Sequence, residues 1–277
     1  MRIVQLSDTH LSHIGGVTSE NFTKLVEYVN EVLKPDLVIN TGDLVILSPD
    51  SDADRETARL AHEGFSAPVR ILPGNHDVGM PGEHAWMGLV TTSERVSNYK
   101  KTFGTDRFLE LPNSTWAIIG LNSEVFSSDL PEESEQWEWL EEVAAQVQGR
   151  CVAFFLHRPF WSPMPGFTEH ALAIEEADRD RLLKIFSNSR VKLVGSGHLH
   201  RFMQGQEGET LTVSAPSTAF IVLGGTLGIN QLGLVEYRID GEEIRAYFRT
   251  IPSLVEGEPH ELAAFSETMA EIQAKAS

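Results

Sequence analysis

Val69-Arg-Ile-Leu-Pro-Gly-Asn-His-Asp77 decides how this 277-residue chain is read. Its apolar, β-branched start predicts a strand, Pro73-Gly74 ends that strand, and Asn75, His76 and Asp77 are delivered at its carboxyl end. Four further islands repeat the arrangement. Asp8-Thr-His10 follows the apolar run 3–6, Gly42-Asp43 follows 37–39, His157 follows 151–156, and Gly197-His-Leu-His200 follows 191–194. In open α/β sheets ligands gather at the carboxyl ends of strands, so islands far apart in sequence are expected to meet at one rim.

Amphipathic stretches alternate with these strands, which predicts an α/β fold. Helices are expected over residues 20–33, 52–64, 129–147 and 175–186. In the third of these Pro131 suits the first turn, and Trp137, Leu140, Val143, Ala144 and Val147 form the apolar stripe. Residues 78–111 read as loops around a short helix. Beyond Arg201 the pattern changes to alternating segments near 209–214, 219–223, 231–238 and 242–249, an antiparallel meander with a hairpin at Gly241. Residues 260–276 read as a surface helix. With no repeat or linker in between, residues 1–277 are expected to form one domain.

The islands carry metal-ligand chemistry. Asp8 and His10 are two apart, and on an extended segment their side chains lean to one side and can chelate one ion. His198 and His200 repeat the spacing. Asp43 is the natural bridge, because a carboxylate can share its oxygens between two cations. The resulting sets are Asp8, His10, Asp43 and His200 for one ion, and Asp43, Asn75, His157 and His198 for the other. Mixed oxygen and nitrogen donors suit Mn, Fe, Zn or Co. Two such ions, roughly 3.5 to 4 Å apart, can bind a phosphoryl oxygen, activate a bridging hydroxide and stabilise charge on phosphorus. Among the remaining histidines, His62 and His260 read as surface residues.

Composition narrows the partners. Lys and Arg number 22 against 40 Asp and Glu, a formal charge of -18, with no basic block to track a nucleic acid backbone. A long nucleic acid is therefore not expected, whereas a small phosphate ester held by metal charge is. The single cysteine, Cys151, lies in an apolar run and reads as a buried, inert thiol. No secretory segment and no run of about 18 apolar residues is present, so a cytoplasmic protein without a membrane partner is expected. A homo-oligomer is compatible with this reading.

The strings SDTHL (7–11), NTGDL (40–44), LPGNHD (72–77), LH (156–157) and GHLH (197–200) resemble the calcineurin-like metallophosphoesterase superfamily, and within it the class III cyclic nucleotide phosphodiesterase and glycerophosphodiesterase branch. That resemblance implies a four-layer α/β/β/α sandwich of two mixed β-sheets flanked by helices, with the strands of about 201–250 completing the second sheet. It also implies that His76 binds no metal, contacts the phosphate and protonates the leaving oxygen, and that Asp77 orients His76. The purple acid phosphatases of the superfamily carry a tyrosine where this chain has Ile46, so no iron-tyrosinate site is expected. Phosphoprotein phosphatases carry an Arg-Gly-Asn-His-Glu type string, and the Leu-Pro-Gly-Asn-His-Asp seen here makes protein dephosphorylation a weaker expectation.

The expected activity is hydrolysis of a small phosphodiester, with a phosphomonoesterase or nucleotide pyrophosphatase as the alternative on the same site. Substrate contacts are sought in the loops. His13 follows the first island, Arg158 either reaches substrate phosphate or forms a surface salt bridge, and Phe126 and Trp161 either stack on an organic group or pack in the core. A non-catalytic scaffold of the same fold is the reading from another class. Such scaffolds lack the phosphate-facing histidine or several ligands, and this chain retains His76 and all seven ligands.

Overall fold

Ile3 and Val4, neighbours on one strand, point into two different hydrophobic layers, and this alternation builds the molecule. The computed structural model describes residues 1–82, 85–162, 172–222 and 227–276. The strands are β1 (Arg2–Leu6), β2 (Leu37–Asn40), β3 (Val69–Ile71), β4 (Phe108–Glu110), β5 (Trp116–Gly120), β6 (Cys151–Phe155), β7 (Arg190–Ser196), β8 (Met203–Glu207), β9 (Thr210–Ser214), β10 (Gly233–Asp240) and β11 (Glu243–Thr250). They form a five-stranded sheet in the order β11-β10-β1-β2-β3 and a six-stranded sheet in the order β4-β5-β6-β7-β9-β8. Both sheets are mixed: β1, β2 and β3 run parallel with β10 antiparallel to β1, and β5, β6, β7 and β9 run parallel with antiparallel strands at the two edges.

Three apolar layers hold the sheets. Ile3, Ile39, Val235 and Tyr237 from the first sheet meet Trp116, Ile118, Ala153, Phe155 and Leu193 from the second, closing the gap between the sheets. On the outer face of the first sheet, Val4, Leu6 and Val38 receive Phe22, Leu25 and Val29 from the helical segment that begins at Val17. On the outer face of the second, Ala117, Ile119, Val152 and Phe154 receive Trp137, Leu140 and Val143 of helix Pro131–Gln146 and Leu182 of helix Glu176–Ile185. The result is the four-layer α/β/β/α sandwich. Cys151 is buried in the layer between the sheets. Among the described residues no helix is long and apolar enough to cross a membrane.

Gln5 is the polar exception in that middle layer. Its Nε2 donates to Thr41 Oγ1 and to the Ser196 carbonyl, both at 2.9 Å, and its Oε1 accepts from Tyr237 Oη at 2.7 Å. One fully buried side chain thus fixes the ends of β1, β2 and β7 relative to one another, with every polar atom satisfied.

The carboxyl-terminal strands do not all complete the second sheet. β8 and β9 do, but β10 and β11 cross to the first sheet, where β10 pairs with β1. The physical reason is edge pairing: Val235, Tyr237 and Ile239 alternate with outward polar residues, and the exposed edge of β1 gives them hydrogen bonds and the inter-sheet core together. Nor is this part a simple meander, since β9 lies parallel to β7. Residues 219–222 form no strand. The stretch 78–111 holds an 11-residue helix, Ser93–Phe103, capped by the Thr92 side chain, and the edge strand β4.

Candidate active site

The backbone turns sharply at each island. Of the nine described non-glycine residues with positive φ, five are candidate ligands: Asp8 (54°), His10 (44°), Asp43 (54°), His198 (70°) and His200 (55°). Left-handed backbone costs an ordinary residue about 1 kcal/mol or more, so its concentration here marks a built site. It also corrects the expected geometry. Asp8 and His10, and likewise His198 and His200, converge through left-handed turns and not through the alternation of an extended strand. Gly74 and Gly197 permit close approach, because a Cβ on Gly74 would fall onto Asp43 and one on Gly197 onto Ser7 and Asp8.

Donor atoms of Asp8, His10, Asp43 and His200 lie within 4.8 Å of one another, as do those of Asp43, His157 and His198. Asp43 is common to both groups. Its Oδ2 stands 3.3 Å from His157 Nε2, 3.7 Å from His76 Nε2 and 3.9 Å from His10 Nε2, while Oδ1 accepts the His76 backbone N–H at 2.8 Å. Asn75 Oδ1 is 3.0 Å from His157 Nε2, which brings the seventh predicted donor to the second group.

Hydrogen bonds on the far side of the rings fix which nitrogen faces the site. His157 Nδ1 meets the Thr41 carbonyl at 2.9 Å, His10 Nδ1 meets the carbonyls of Val45 and Ile46 at 3.3 and 3.2 Å, and His200 Nδ1 meets that of Phe220 at 3.4 Å. A carbonyl only accepts, so each Nδ1 carries the proton when the ring is neutral and each Nε2 presents its lone pair. His198 is reversed, with Nδ1 facing His157 Nε2 at 3.2 Å.

Three observations test the fit to metal. Asp8 Oδ1 is fully buried with no hydrogen bond, facing His200 Nε2 at 3.3 Å. His10 Nε2 and His200 Nε2 approach to 3.1 Å, close enough for one cation to take both nitrogens as ligands. The donor set of imidazole, carboxylate and amide oxygen is that of first-row transition metals. The residues fit two such ions.

Electrostatics agree with a site built for cations. Burial alone would raise Asp8 and Asp43, yet the facing histidines hold Asp8 down at about 2, through His200 first, and Asp43 well below the usual carboxylate range, through His157 first. Burial opposes charge on His157, and the Asp43 carboxylate overrides it, raising this ring to about 10. His10 is the counterpart, lowered to about 3 by burial and by repulsion from His76 and His200.

His76 stands at the rim, beside Leu47, Asn75, Met80 and Leu89 around a small cleft. Its ring meets His10 edge-on at 4.9 Å. Asp77 does not orient it. The Asp77 carboxylate accepts the backbone N–H groups of Leu44, Val45 and Gly74 at 2.8 to 3.2 Å, tying the Asp43 turn to the Gly74 turn. A carboxylate one residue along a helical turn faces away from its neighbour's ring, and three backbone donors claim it. Burial and the Asp43 charge, partly offset by these donors, raise Asp77 to about 7.

The predicted substrate contacts are redistributed. Arg158 is buried, paired with Glu124 at 3.1 Å and donating to the carbonyls of Ser123 and Ala173, so it serves the loop packing beneath His157 and is neither a phosphate contact nor a surface salt bridge. Phe126 is a core residue, its ring 4.9 Å from Trp137. Trp161 packs beside Phe160 on the second-sheet helical layer and lines a cavity of about 540 Å³ against β7, β8 and β9. Residues 163–171, shortly after Trp161, lie outside the described residues. His13 is half-exposed on the loop after His10, held by Asp54 at 2.7 Å. His62 is not a surface residue: it is buried between Phe22 and Phe65, donates to the Ala58 carbonyl at 2.7 Å and meets Asn40 Nδ2 at 2.9 Å. Asn40 in turn accepts the Gly42 N–H at 3.1 Å, supporting the Asp43 turn from behind. A histidine four residues after Ala58 on the apolar side of a predicted helix was the available signal. Ser217, whose Oγ donates to the Asp8 carbonyl at 2.8 Å, has no local signal at all.

Two mixed sheets with buried carboxylates and imidazoles converging at their strand ends define a metal-dependent phosphoesterase architecture. The model of the calcineurin-like phosphoesterase family matches residues 1–202, and the chain belongs to that family. It is 28% identical over 203 residues to the serine/threonine-protein phosphatase CPPED1 of Danio rerio, covering 69% of this chain and 62% of that protein, which is less than two thirds of the relative's length. A probable cyclic nucleotide phosphodiesterase of Rhodococcus erythropolis is 28% identical over 207 residues, covering 72% of this chain and 64% of that one. Among solved structures, a dimetal phosphatase from Danio rerio superposes with a TM-score of 0.62 at 11% identity, covering 92% of this chain and 97% of that one.

Proposed function

We propose that this protein hydrolyses a small phosphodiester at a centre of two divalent transition metal ions. The observation that carries the proposal is Asp43, the one carboxylate shared by two otherwise separate donor groups, with His76 beside it at the open rim. Bound there, two ions would supply Lewis acidity toward a phosphoryl oxygen and an activated water for attack on phosphorus. Asp8, His10 and His200 would hold one ion, Asn75, His157 and His198 the other, and Asp43 both.

The chain's own groups handle the rest. His76, on the rim, binds a phosphoryl oxygen and delivers a proton to the leaving oxygen. Asp77 fixes the two turns that present Asp43 and Asn75. Leu47, Met80 and Leu89 give the cleft beside His76 an apolar wall, with no Lys or Arg among its described lining residues. The arginines next to two ligand islands are engaged elsewhere, Arg158 with Glu124 and Arg201 with the carbonyls of Val222 and Leu227. The preference for a diester rests on the similarity to the probable cyclic nucleotide phosphodiesterase of Rhodococcus erythropolis, 28% identical over 207 residues.

The test is a hydrolysis panel on metal-stripped protein reloaded with Mn, Co, Zn or Fe. It contains bis(p-nitrophenyl) phosphate, cyclic nucleotides, glycerophosphodiesters, p-nitrophenyl phosphate, a nucleoside diphosphate derivative and a phosphoserine peptide. Turnover of diesters above monoesters is expected. Absence of hydrolysis with every metal overturns the proposal. A preference for the phosphopeptide establishes the second reading, protein dephosphorylation, which rests on the similarity to the CPPED1 proteins, including that of Bos taurus at 26% identity over 263 residues.

A further inference from the structure

The family match ends at residue 202, yet residues far beyond it pack directly behind two candidate ligands. Phe220 lies against both rings of one donor group, 4.6 Å from His10 and 4.9 Å from His200, and its carbonyl faces His200 Nδ1. Ile46, whose carbonyl faces His10 Nδ1, belongs to the same apolar cluster as Phe220. That cluster is closed by Leu262 and by Ala264, Phe265, Met269 and Ile272 of the carboxyl-terminal helix Ala263–Ala276, with Phe265 edge-on to Phe220 at 6.4 Å. In the second donor group the ring nitrogen His157 Nδ1 is held instead by Thr41, inside the sheet framework.

We infer that the carboxyl-terminal helix is a positioning element of the metal centre, setting affinity at the site of Asp8, His10, Asp43 and His200 through Phe220 and Ile46. The inference rests on the two-ion reading above. Two physical facts carry it. His10 and His200 stand on left-handed backbone, so something must hold their rings on target, and the outer partners of ligating histidines are known to control affinity by about 10- to 100-fold. Here two of those partners, the carbonyls of Ile46 and Phe220, belong to residues whose side chains pack in the cluster that the helix closes. Phe220 and Phe265 touch neither substrate nor reacting atoms, so they act by fixing rotamers.

Metal binding itself provides the test, using full-length, metal-stripped protein titrated with Mn2+ by calorimetry. Phe265→Ala and Phe220→Leu are compared with Leu182→Ala, a core truncation beneath the other sheet that controls for lost stability. Each is also placed in a His198→Ala background, leaving the helix-backed site, and in a His200→Ala background, leaving the other. Phe265→Ala is expected to weaken binding about tenfold in the first background and to leave it unchanged in the second. Phe265→Leu, which keeps the cluster apolar, should restore most of the affinity, and Leu182→Ala should lower the melting temperature without moving either affinity. Equal weakening in both backgrounds, or none in the first, overturns the inference. If Phe265→Ala fails to fold, Phe220→Leu carries the same comparison. Wild-type protein that binds fewer than two ions instead overturns the two-ion reading, before any variant is compared.

Discussion

Asp43 Oδ1 accepts the backbone N–H of His76 at 2.8 Å, so the carboxylate shared by the two donor groups also sets the position of the rim histidine. Asp43→Ala is therefore expected to do more than remove a ligand. It should abolish binding of both ions and release the His76 turn, lowering kcat by at least about 10³-fold. Asp43→Asn keeps an acceptor for His76 but loses the charge, so it should retain a fold closer to wild type with similarly poor metal content. Elemental analysis beside hydrogen exchange of the 74–79 turn checks both; a fully loaded Asp43→Ala protein would contradict the bridging role.

His76→Ala is expected to keep the metals and lower the rate by about 10² to 10⁴, most for esters with poor leaving groups. The ring faces Asp43 Oδ2 at 3.7 Å and is lowered by burial, with Asp43 opposing, so it can part with a proton readily once charged. A series of aryl esters of graded leaving-group acidity measures this directly. An equal loss across the series would assign His76 to electrostatic positioning alone.

Metal uptake should release protons. In the metal-free protein His157 is raised to about 10, burial being overridden by Asp43, so this ring is charged at neutral pH and must lose a proton to ligate; burial opposes charge on His200 too, and the Asp8 carboxylate shifts it in the same upward direction. Apparent affinity is accordingly expected to rise with pH between 6 and 9, by about tenfold per pH unit for each proton displaced. Calorimetry of Mn2+ binding in buffers of different ionisation enthalpy counts those protons, and a count of zero would contradict the assignment.

Asp77→Ala is expected to destabilise the fold by about 2 kcal/mol, because the N–H groups of Leu44, Val45 and Gly74 lose a buried acceptor. Metal affinity should fall with it. The dependence on leaving group should not change, since Asp77 makes no contact with the His76 ring. Urea denaturation and the aryl ester series together separate this scaffold role from an orienting one.

His62 gives a pH signature remote from the metals. Burial lowers it from 6.5 to about 4, its bond to the Ala58 carbonyl only partly opposing. The unfolded chain then binds a proton that the folded protein refuses between those values, so this contribution is full above about 6.5 and is lost as pH falls toward 4. The loss amounts to at most about 3 kcal/mol. Chemical denaturation at pH 7 and pH 4.5 should show it in wild type and not in His62→Gln; equal pH dependence in both would place the titration elsewhere.

The ligand islands were legible because each chemistry-bearing residue follows an apolar run that ends at a glycine or a strand boundary. Asp8, Asp43, Asn75, His157 and His198 are all where local pattern placed them, at strand ends, and the helix stripe of Trp137, Leu140 and Val143 does pack on a sheet. Roles that depend on direction were not legible. Arg158 follows a ligand in sequence, yet Glu124, 34 positions earlier, draws it into the interior. Asp77 follows His76, yet its carboxylate belongs to backbone donors of another loop.

Local sequence determined the period of each strand, the residue types at its end and so the class of chemistry, because side-chain alternation and turn residues act over a few positions. Only the tertiary structure decided which sheet edge received β10, which carbonyl fixed each imidazole, and that Phe220 and a carboxyl-terminal helix would stand behind His10 and His200. Those choices are settled by burial and by the satisfaction of buried polar groups across long separations, and no single stretch of chain contains both partners.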